Sequence, residues 1–294
     1  MEQQSAIRWL VKCGLAAGAA LLVCGATTIW VGDRLQLPST TTRDGTLITL
    51  NRYVQEPVPD VVLVGSSLTF RLKEEYFETR SLRNLALAGG SPVTGMEVVV
   101  EQPRLPRIIL VETNLLPRPP DDAVAARYAR GQSVKQPFFR PIRAAVATYE
   151  NWHHAPLTHA QFAAAMEHAL KQPPSDFDNR IYVDRALKEF DQNPTSALQP
   201  NVDRLAGLVQ TARQQGVLVV LFELPYPKEI EATRYVEITR GTVRSRFPDP
   251  DQWLQVDVAA DELRWLDGVH LDERSAMIVS LSIDKAVGLL LKSH

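Results

Sequence analysis

The sequence predicts a doubly wound α/β domain, in which helices cover both faces of a mainly parallel sheet. Short apolar runs recur from residue 60 onward, and helical patterns lie between several of them. The runs are continuous rather than alternating, which is typical of strands buried on both faces. The 294 residues suffice for one large domain or two small ones. A net charge of −2 gives no basic surplus for nucleic acid.

Each predicted element follows from its pattern. The apolar runs predict five strands: Val61–Val64, Ser81–Leu87, Arg107–Thr113, Gly216–Leu224 and Trp253–Val258. Helical spacing, with a proline start or a glycine stop, predicts three helices: Pro92–Glu101, Asn201–Gln215 and Asp272–Lys292. Residues from about 115 to 200 break the alternation. A connection this long is usually functional or structured, so we expect a helical insertion that acts as a lid or docking surface.

The N-terminal segment predicts a membrane anchor. Arg8 and Lys12 precede an uncharged run of 19 residues, Cys13–Val31, which is long enough to cross a bilayer as a helix. The positive flank predicts a cytoplasmic N-terminus at residues 1–12 and export of the remainder. A cleaved signal peptide and a lipoprotein signal at Cys24 are the alternatives, and the length of the run favours the uncleaved anchor.

The predicted organisation places everything after the anchor outside the cytoplasm. Residues 32–58 are interpreted as a juxtamembrane linker with one short strand, and residues 59–294 as the α/β domain. Both cysteines, Cys13 and Cys24, lie in the anchor, so the exported part has no disulfide. This composition suits a periplasmic or extracellular domain on the inner (cytoplasmic) membrane.

The carboxyl ends of parallel strands are where ligands bind in such sheets. The first strand ends at Ser67, and Asp267 and His270 follow the fifth strand. A serine hydroxyl needs a base to become a nucleophile, and the base needs a partner that fixes its tautomer. The pattern therefore predicts Ser67 as nucleophile, His270 as base and Asp267 as the residue that orients it.

An oxyanion that forms at Ser67 requires hydrogen-bond donors. The candidates are the backbone N–H groups of Ser67 and Gly89 and the side-chain amide of Asn114, which follow the first three strands. Each residue also has a simpler reading: Ser67 as a helix cap, Gly89 in a tight turn, and Asn114 in an Asx turn. The Asp267–His270 loop could equally cap the last helix.

These residues resemble the four blocks of the SGNH (GDSL-type) hydrolase superfamily. "GSSL" resembles the first block, "NLALAGGS" the second, "VETN" the third and "DGVHLD" the last. The resemblance implies a flavodoxin-like sheet and a Ser67–His270–Asp267 triad, with Gly89 and Asn114 in the oxyanion hole. Ser66 stands where the family more often has Asp, and Glu112 where it more often has Gly.

The anchor, the insertion and these departures resemble the membrane-anchored polysaccharide O-acetyltransferase branch of that superfamily. This resemblance implies acyl transfer to an exported polysaccharide or cell-envelope glycan, with a multi-span membrane O-acyltransferase as partner and no cofactor. A membrane-anchored esterase or deacetylase and a non-catalytic glycan-binding or scaffold subunit are the alternatives.

Other polar and aromatic residues have weaker signals. Ser66, Glu112 and Trp265 are candidates for substrate contact, although Glu112 could instead tune His270 or pair with Arg118. Stacking on sugar rings by an aromatic side chain is a further option. The histidines are interpreted as surface or interface residues rather than metal ligands, because their spacing fits no familiar site; they are His153, His154, His159 and His168.

Overall fold

The fold is a five-stranded parallel sheet covered by helices. The computed structural model describes residues 2–31, 42–129 and 158–293. The strands are β1 (Val61–Gly65), β2 (Leu82–Ala86), β3 (Ile108–Glu112), β4 (Leu218–Phe222) and β5 (Trp253–Leu254). Their order is β2-β1-β3-β4-β5 and every pairing is parallel, which is the flavodoxin-like arrangement that the sequence predicts.

The helices in the described residues, in chain order, are α1 (Glu2–Val31), α2 (Thr42–Gln55), α3 (Pro92–Val100), α4 (Asp122–Tyr128), α5 (His159–Lys171), α6 (Arg180–Glu189), α7 (Thr195–Gln214), α8 (Lys228–Glu231), α9 (Arg234–Arg246) and α10 (Glu273–Ser293). Short 3₁₀ turns lie at Thr69–Arg71, Glu74–Tyr76, Pro250–Gln252 and Ala260–Glu262.

The continuous apolar strands have a simple physical reason. Successive side chains of a strand point to opposite faces, so each face of the sheet needs its own apolar set. Val62 and Val64 join the buried cluster that contains α2, α3 and α7 side chains. Val61 and Leu63 join the opposite cluster, which contains α10 side chains. Both faces of β1 therefore lie in apolar clusters, whereas the edge strand β2 also carries the polar residues Arg83 and Asn84.

Two sequence expectations about local structure are wrong. The short strand expected between residues 32 and 58 is the helix α2, because Leu50 and Tyr53, one helical turn apart, are buried in the core. The fifth strand stops at Leu254 instead of Val258. Residues 32–41 of the predicted linker lie outside the described residues.

The insertion is helical where the structure describes it. It contains α4, α5 and α6, and α7 begins at Thr195, earlier than the pattern predicts. The ring of Phe162 on α5 stacks on Tyr76, with ring centroids 6.2 Å apart. Part of the insertion, residues 130–157, lies outside the described residues, and so do His153 and His154.

The N-terminal helix α1 is long and apolar enough to cross a membrane by length and composition. The stretch Ala6–Val23 has a mean hydropathy of 1.6 and none of it is buried. The predicted anchor, residues 13–31, lies within α1 and overlaps this stretch.

Candidate active site

The two serines after β1 have different surroundings. Ser66 is fully buried, whereas Ser67 is half-buried at the carboxyl edge of the sheet. The hydroxyl of Ser66 donates to Glu112 at 2.6 Å and accepts the backbone N–H of Leu68 at 3.2 Å. The hydroxyl of Ser66 is therefore used in hydrogen bonds within the protein. Ser67 is the more exposed of the two serines, at the edge of the sheet where ligands bind in such folds.

Glu112 is the centre of the network that fixes this loop. Its carboxylate has no exposed surface and accepts hydrogen bonds from four groups. They are the backbone N–H of Ser66 (2.7 Å), the hydroxyls of Ser66 (2.6 Å) and Thr69 (3.0 Å), and the backbone N–H of Leu115 (3.2 Å). A buried carboxylate needs such donors. The structure therefore places Ser66 and Glu112 in an internal network that supports the loop, and substrate contact by either residue stays a prediction.

Gly65 is required by the same network. A Cβ atom at this position would overlap the hydroxyl of Thr69 and come within 3.0 Å of the Glu112 carboxylate. Glycine at the end of β1 therefore lets the loop fold tightly onto Glu112. This tight fold holds the backbone of Ser67 in a defined place.

Asp267 and His270 form a hydrogen-bonded pair. The Nδ1 atom of His270 lies 2.8 and 2.9 Å from the two carboxylate oxygens of Asp267. The backbone N–H of His270 also donates to Asp267, at 3.0 Å. Burial raises the pKa of Asp267, but these hydrogen bonds lower it more, to about 2. The carboxylate is therefore ionised, Nδ1 donates to it, and Nε2 is the nitrogen that accepts a proton.

The insertion supports the loop that carries this pair. Gly268 has a φ of +91° and lies so close to α6 that a Cβ atom would come within 2.8 Å of the backbone oxygen of Tyr182. The side-chain amide of Asn179, at the start of α6, donates to the backbone oxygen of Trp265 at 2.7 Å. The side chain of Arg264 donates to the backbone oxygen of Ser175 at 3.0 Å.

The hydroxyl of Ser67 has an unexpected partner. The guanidinium Nη1 of Arg118 donates to Ser67 Oγ at 3.2 Å. Within the described part of the chain, no hydrogen bond joins Ser67 to His270. Arg71, after the serine loop, donates to the backbone oxygen of Leu271 at 3.1 Å and so links the two halves of the site. Hydrogen bonds between catalytic groups are often long without substrate.

The predicted oxyanion donors divide into two groups. The backbone N–H groups of Ser67 and Gly89 have no acceptor among the residues that the structure describes, and Gly89 is exposed with a φ of +77°. Asn114, in contrast, is committed to the fold. Its amide donates to the backbone oxygen of Leu224 at 2.8 Å, and its side-chain oxygen accepts the Leu224 N–H at 2.7 Å. This pairing joins the ends of β3 and β4.

A cavity of about 630 Å³ lies beside the histidine loop. Its wall includes Trp265 and Leu266, which directly precede Asp267, together with Phe177 and Tyr226. Ser67 and His270 are not among its lining residues. The indole N–H of Trp265 donates to the backbone oxygen of Pro225 at 3.3 Å, which fixes the ring in the cavity wall.

Sequence reasoning missed the two interactions that most affect the site. Arg118 was considered only as a partner of Glu112, and no ion pair joins those two residues within the described ranges. The sequence feature that could have indicated Arg118 is a single arginine between two prolines, shortly after the end of β3. Gly268 had a clearer signal, since a glycine inside "DGVH" predicts either positive φ or close backbone contact.

No cluster of three or more possible metal ligands occurs among the described residues. His168 is exposed and lies 3.3 Å from the side-chain amide of Gln172. His153 and His154 lie outside the described residues, and nothing is described of the His159 side chain, so the prediction for these three histidines stays a prediction.

Comparisons with known proteins give only distant likenesses. No protein-family model and no curated protein matches the sequence. One similar solved structure is a proposed acylhydrolase from Bacteroides fragilis, with a TM-score of 0.41, 11% identity, and coverage of 82% of this chain and 97% of that one. Another is a GDSL-like lipase from Bacteroides thetaiotaomicron, with a TM-score of 0.41, 10% identity, and coverage of 85% and 98%. These likenesses are too distant to show a family.

Proposed function

We propose that this protein is a serine-dependent O-acyltransferase of SGNH type. It takes an acyl group, in our proposal acetyl, onto Ser67 and passes it to a hydroxyl of an exported polysaccharide or cell-envelope glycan. The observation that carries the proposal is the Asp267–His270 pair, with Nδ1 2.8 Å from the carboxylate, next to Leu271, whose backbone oxygen accepts a hydrogen bond from Arg71 after the serine loop. The backbone N–H groups of Ser67 and Gly89, which have no acceptor among the described residues, are the proposed hydrogen-bond donors to the oxyanion.

The proposed reaction is a double displacement. His270 Nε2 removes the proton of the Ser67 hydroxyl while Oγ bonds to the carbonyl carbon of the acyl donor, and the carbonyl electron pair moves onto oxygen. When this oxyanion collapses, the bond to the leaving group breaks and His270 returns the proton to that group. The acceptor hydroxyl then repeats the sequence against the Ser67 ester, which regenerates the free serine.

The cavity beside the histidine loop is our candidate acceptor site. An acceptor hydroxyl must approach His270, and this cavity shares its wall with the residues that precede Asp267. Aromatic rings such as Trp265 and Phe177 offer apolar faces to sugar rings, and the surrounding charged side chains offer hydrogen bonds. Trp265 is thus a proposed substrate contact.

The proposed location follows from α1. An exposed apolar helix at the N-terminus suits a single-pass anchor in the inner (cytoplasmic) membrane, with the α/β domain on the periplasmic or extracellular side. A membrane O-acyltransferase that delivers the acyl group is the proposed partner. Such a pairing would present the donor at the membrane face, where the anchored domain works.

The test is acyl-enzyme formation by the full chain in detergent. We expect incubation with p-nitrophenyl acetate to add one acetyl group to the peptide that contains Ser67. Ser67→Ala should abolish this labelling without loss of the fold, and His270→Ala should slow it by about 10⁴-fold or more. Ser196→Ala, which removes an exposed hydroxyl on α7, is the matched control and should react like the wild type.

Added oligosaccharides distinguish the possible activities. Transfer predicts that oligosaccharides accelerate loss of acetyl from Ser67 and become acetylated themselves. Turnover by water alone, with every oligosaccharide left unmodified, would instead identify an esterase or deacetylase. Absence of any Ser67-dependent acylation would refute the enzymatic proposal and favour a scaffold subunit.

A further inference from the structure

We propose that Arg118 is the side-chain donor of the oxyanion site at Ser67, the role that the sequence suggests for Asn114. This inference rests on the proposed function, because it assigns a catalytic residue to that reaction. Its first support is the hydrogen bond of 3.2 Å from Arg118 Nη1 to Ser67 Oγ. No other described group brings a cation into contact with the nucleophile.

Arg118 has no charge partner within the part of the chain that the structure describes. The residue is half-buried, and none of the ion pairs between described residues includes it. A guanidinium has five N–H donors, and among the described residues Ser67 is the one acceptor of a hydrogen bond from this side chain. A half-buried cation that is not paired with a carboxylate is expected to attract an anion, and the serine oxygen is the proposed reacting atom that it contacts.

The backbone around Arg118 is fixed, so the side chain starts from a defined position. Pro117 and Pro119 flank it and restrict the chain on both sides. The N–H of Arg118 donates to the backbone oxygen of Leu115 at 3.1 Å. The buried amide of Asn201, on α7, donates to the backbone oxygens of Leu116 (2.7 Å) and Arg118 (2.9 Å). Catalytic donors are effective when they are preorganised in this way.

Asn114 is a poorer candidate for the same role. Its side-chain oxygen and one of the two N–H groups of its amide nitrogen bond to the backbone of Leu224, at 2.7 and 2.8 Å. Rotating the amide toward Ser67 would break the connection between β3 and β4. Among the described residues, the backbone N–H groups of Ser67 and Gly89 have no acceptor, and Arg118 adds a donor with a full positive charge.

The chemistry is compatible with the base. Arg118 uses one lone pair of Ser67 Oγ, so the hydroxyl proton stays available for His270. In the tetrahedral intermediate, Oγ and the oxyanion are bonded to the same carbon, and a donor that reaches one lies next to the other. Arg118 then donates a charge-assisted hydrogen bond to the oxyanion and transfers no proton, since its guanidinium stays protonated throughout.

A second anion could occupy the same guanidinium, namely a carboxylate or phosphate carried by the substrate. The two sources share their chemistry, but they differ in the step at which the charge appears. The oxyanion exists only during the reaction, so removing a donor that stabilises it lowers kcat for every substrate. Recognition of a substrate charge changes KM, and only for charged substrates.

The experiment compares Arg118→Gln and Arg118→Ala with the wild type on p-nitrophenyl acetate, a neutral ester. We expect kcat to fall by about 10²- to 10³-fold with KM little changed. Millimolar guanidinium should restore part of the activity of Arg118→Ala, an effect that a purely structural role would not produce. Arg127→Gln, which alters an exposed arginine on α4, is the matched control and should keep wild-type rates.

Two results would overturn the inference while leaving the proposed function standing. The first is an unchanged kcat in Arg118→Gln. The second is a defect confined to the KM of anionic esters, which would assign Arg118 to substrate charge instead. If the wild type itself is not acylated on Ser67, the proposed function fails, and the role of Arg118 fails with it. Thermal unfolding of each variant shows whether a lost activity reflects a lost fold.

Discussion

The serine loop and the histidine loop of the candidate site are supported in opposite ways. The serine loop is fixed by Glu112, a carboxylate without exposed surface that accepts four hydrogen bonds from groups after β1 and β3. The Asp267 side chain is 47% exposed, and its main hydrogen bonds come from His270, three residues away. The histidine loop relies on the insertion, through Asn179 and Tyr182, for its position.

This difference separates stability from activity. The serine loop belongs to the polar network at the centre of the sheet edge, so damage there should unfold the domain. The histidine loop lies on the surface of an inserted helix, so damage there should displace His270, the proposed base, and leave the core intact. Three predictions test this contrast, beginning with the largest effect.

The largest effect is expected from Glu112→Ala. Removing the carboxylate leaves four donors buried without an acceptor, which should lower the free energy of unfolding by about 4 kcal/mol. Urea denaturation of the full chain in detergent measures this change in the free energy of unfolding. Glu75→Ala, at an exposed glutamate, should change the free energy of unfolding by less than about 0.5 kcal/mol. A cost below about 1 kcal/mol for Glu112→Ala would contradict the structural role of this carboxylate.

The second prediction concerns two glycines with similar backbones. Gly216 (φ +81°) and Gly268 (φ +91°) both have positive φ, but a Cβ atom meets nothing within 4 Å at Gly216 and meets the Tyr182 backbone at Gly268. Gly216→Ala should therefore lower the free energy of unfolding by about 1 kcal/mol, because of backbone strain alone. It should leave kcat for p-nitrophenyl acetate unchanged. Gly268→Ala should cost about 2 kcal/mol and lower kcat by about 10- to 100-fold, since the loop must move. Equal kcat values for the two variants would show that α6 does not position His270.

The smallest effect concerns pH and Asp267. Its folded pKa of about 2 lies below the ordinary 3.8, so ionised Asp267 stabilises the folded state above about pH 4. That contribution is lost as the pH falls through about 2. The Tm difference between the wild type and Asp267→Asn should therefore be present at pH 5 and should shrink as the pH approaches 2. A difference that is constant with pH would mean that the carboxylate charge makes no contribution.

Local pattern was sufficient to predict the sheet and the polar residues at its ends. The continuous apolar runs around Val61 and Ile108 clearly indicate buried strands. Parallel strands place their carboxyl ends at the same edge of the sheet, whichever strands are neighbours. Ser67, Asp267 and His270 could be singled out because a nucleophile, a base and an acid occur at those ends. The pairing of Asp267 with His270 was predictable from a separation of three residues.

The remainder depends on contacts between distant residues. Glu112 meets Ser66 across 46 positions, and Arg118 meets Ser67 across 51, and neither pairing has a periodic signal. A carboxylate and a cation near a predicted site are ambiguous between ligand contact and internal support until their partners are known. The helix α2 was missed because its polar composition hides the two buried residues, Leu50 and Tyr53, that hold it.

The burial of Leu50 and Tyr53 also limits how far the α/β domain can lie from α1. Because α2 is packed into the domain, only ten residues separate its first residue, Thr42, from Val31 at the end of α1. Fully extended, ten residues span about 35 Å, roughly the width of the domain itself. If α1 spans a bilayer, the domain has a short tether, and the proposed acceptor would have to come to the membrane surface. A polymer emerging from that membrane would then pass within reach, whereas one at a distance would not.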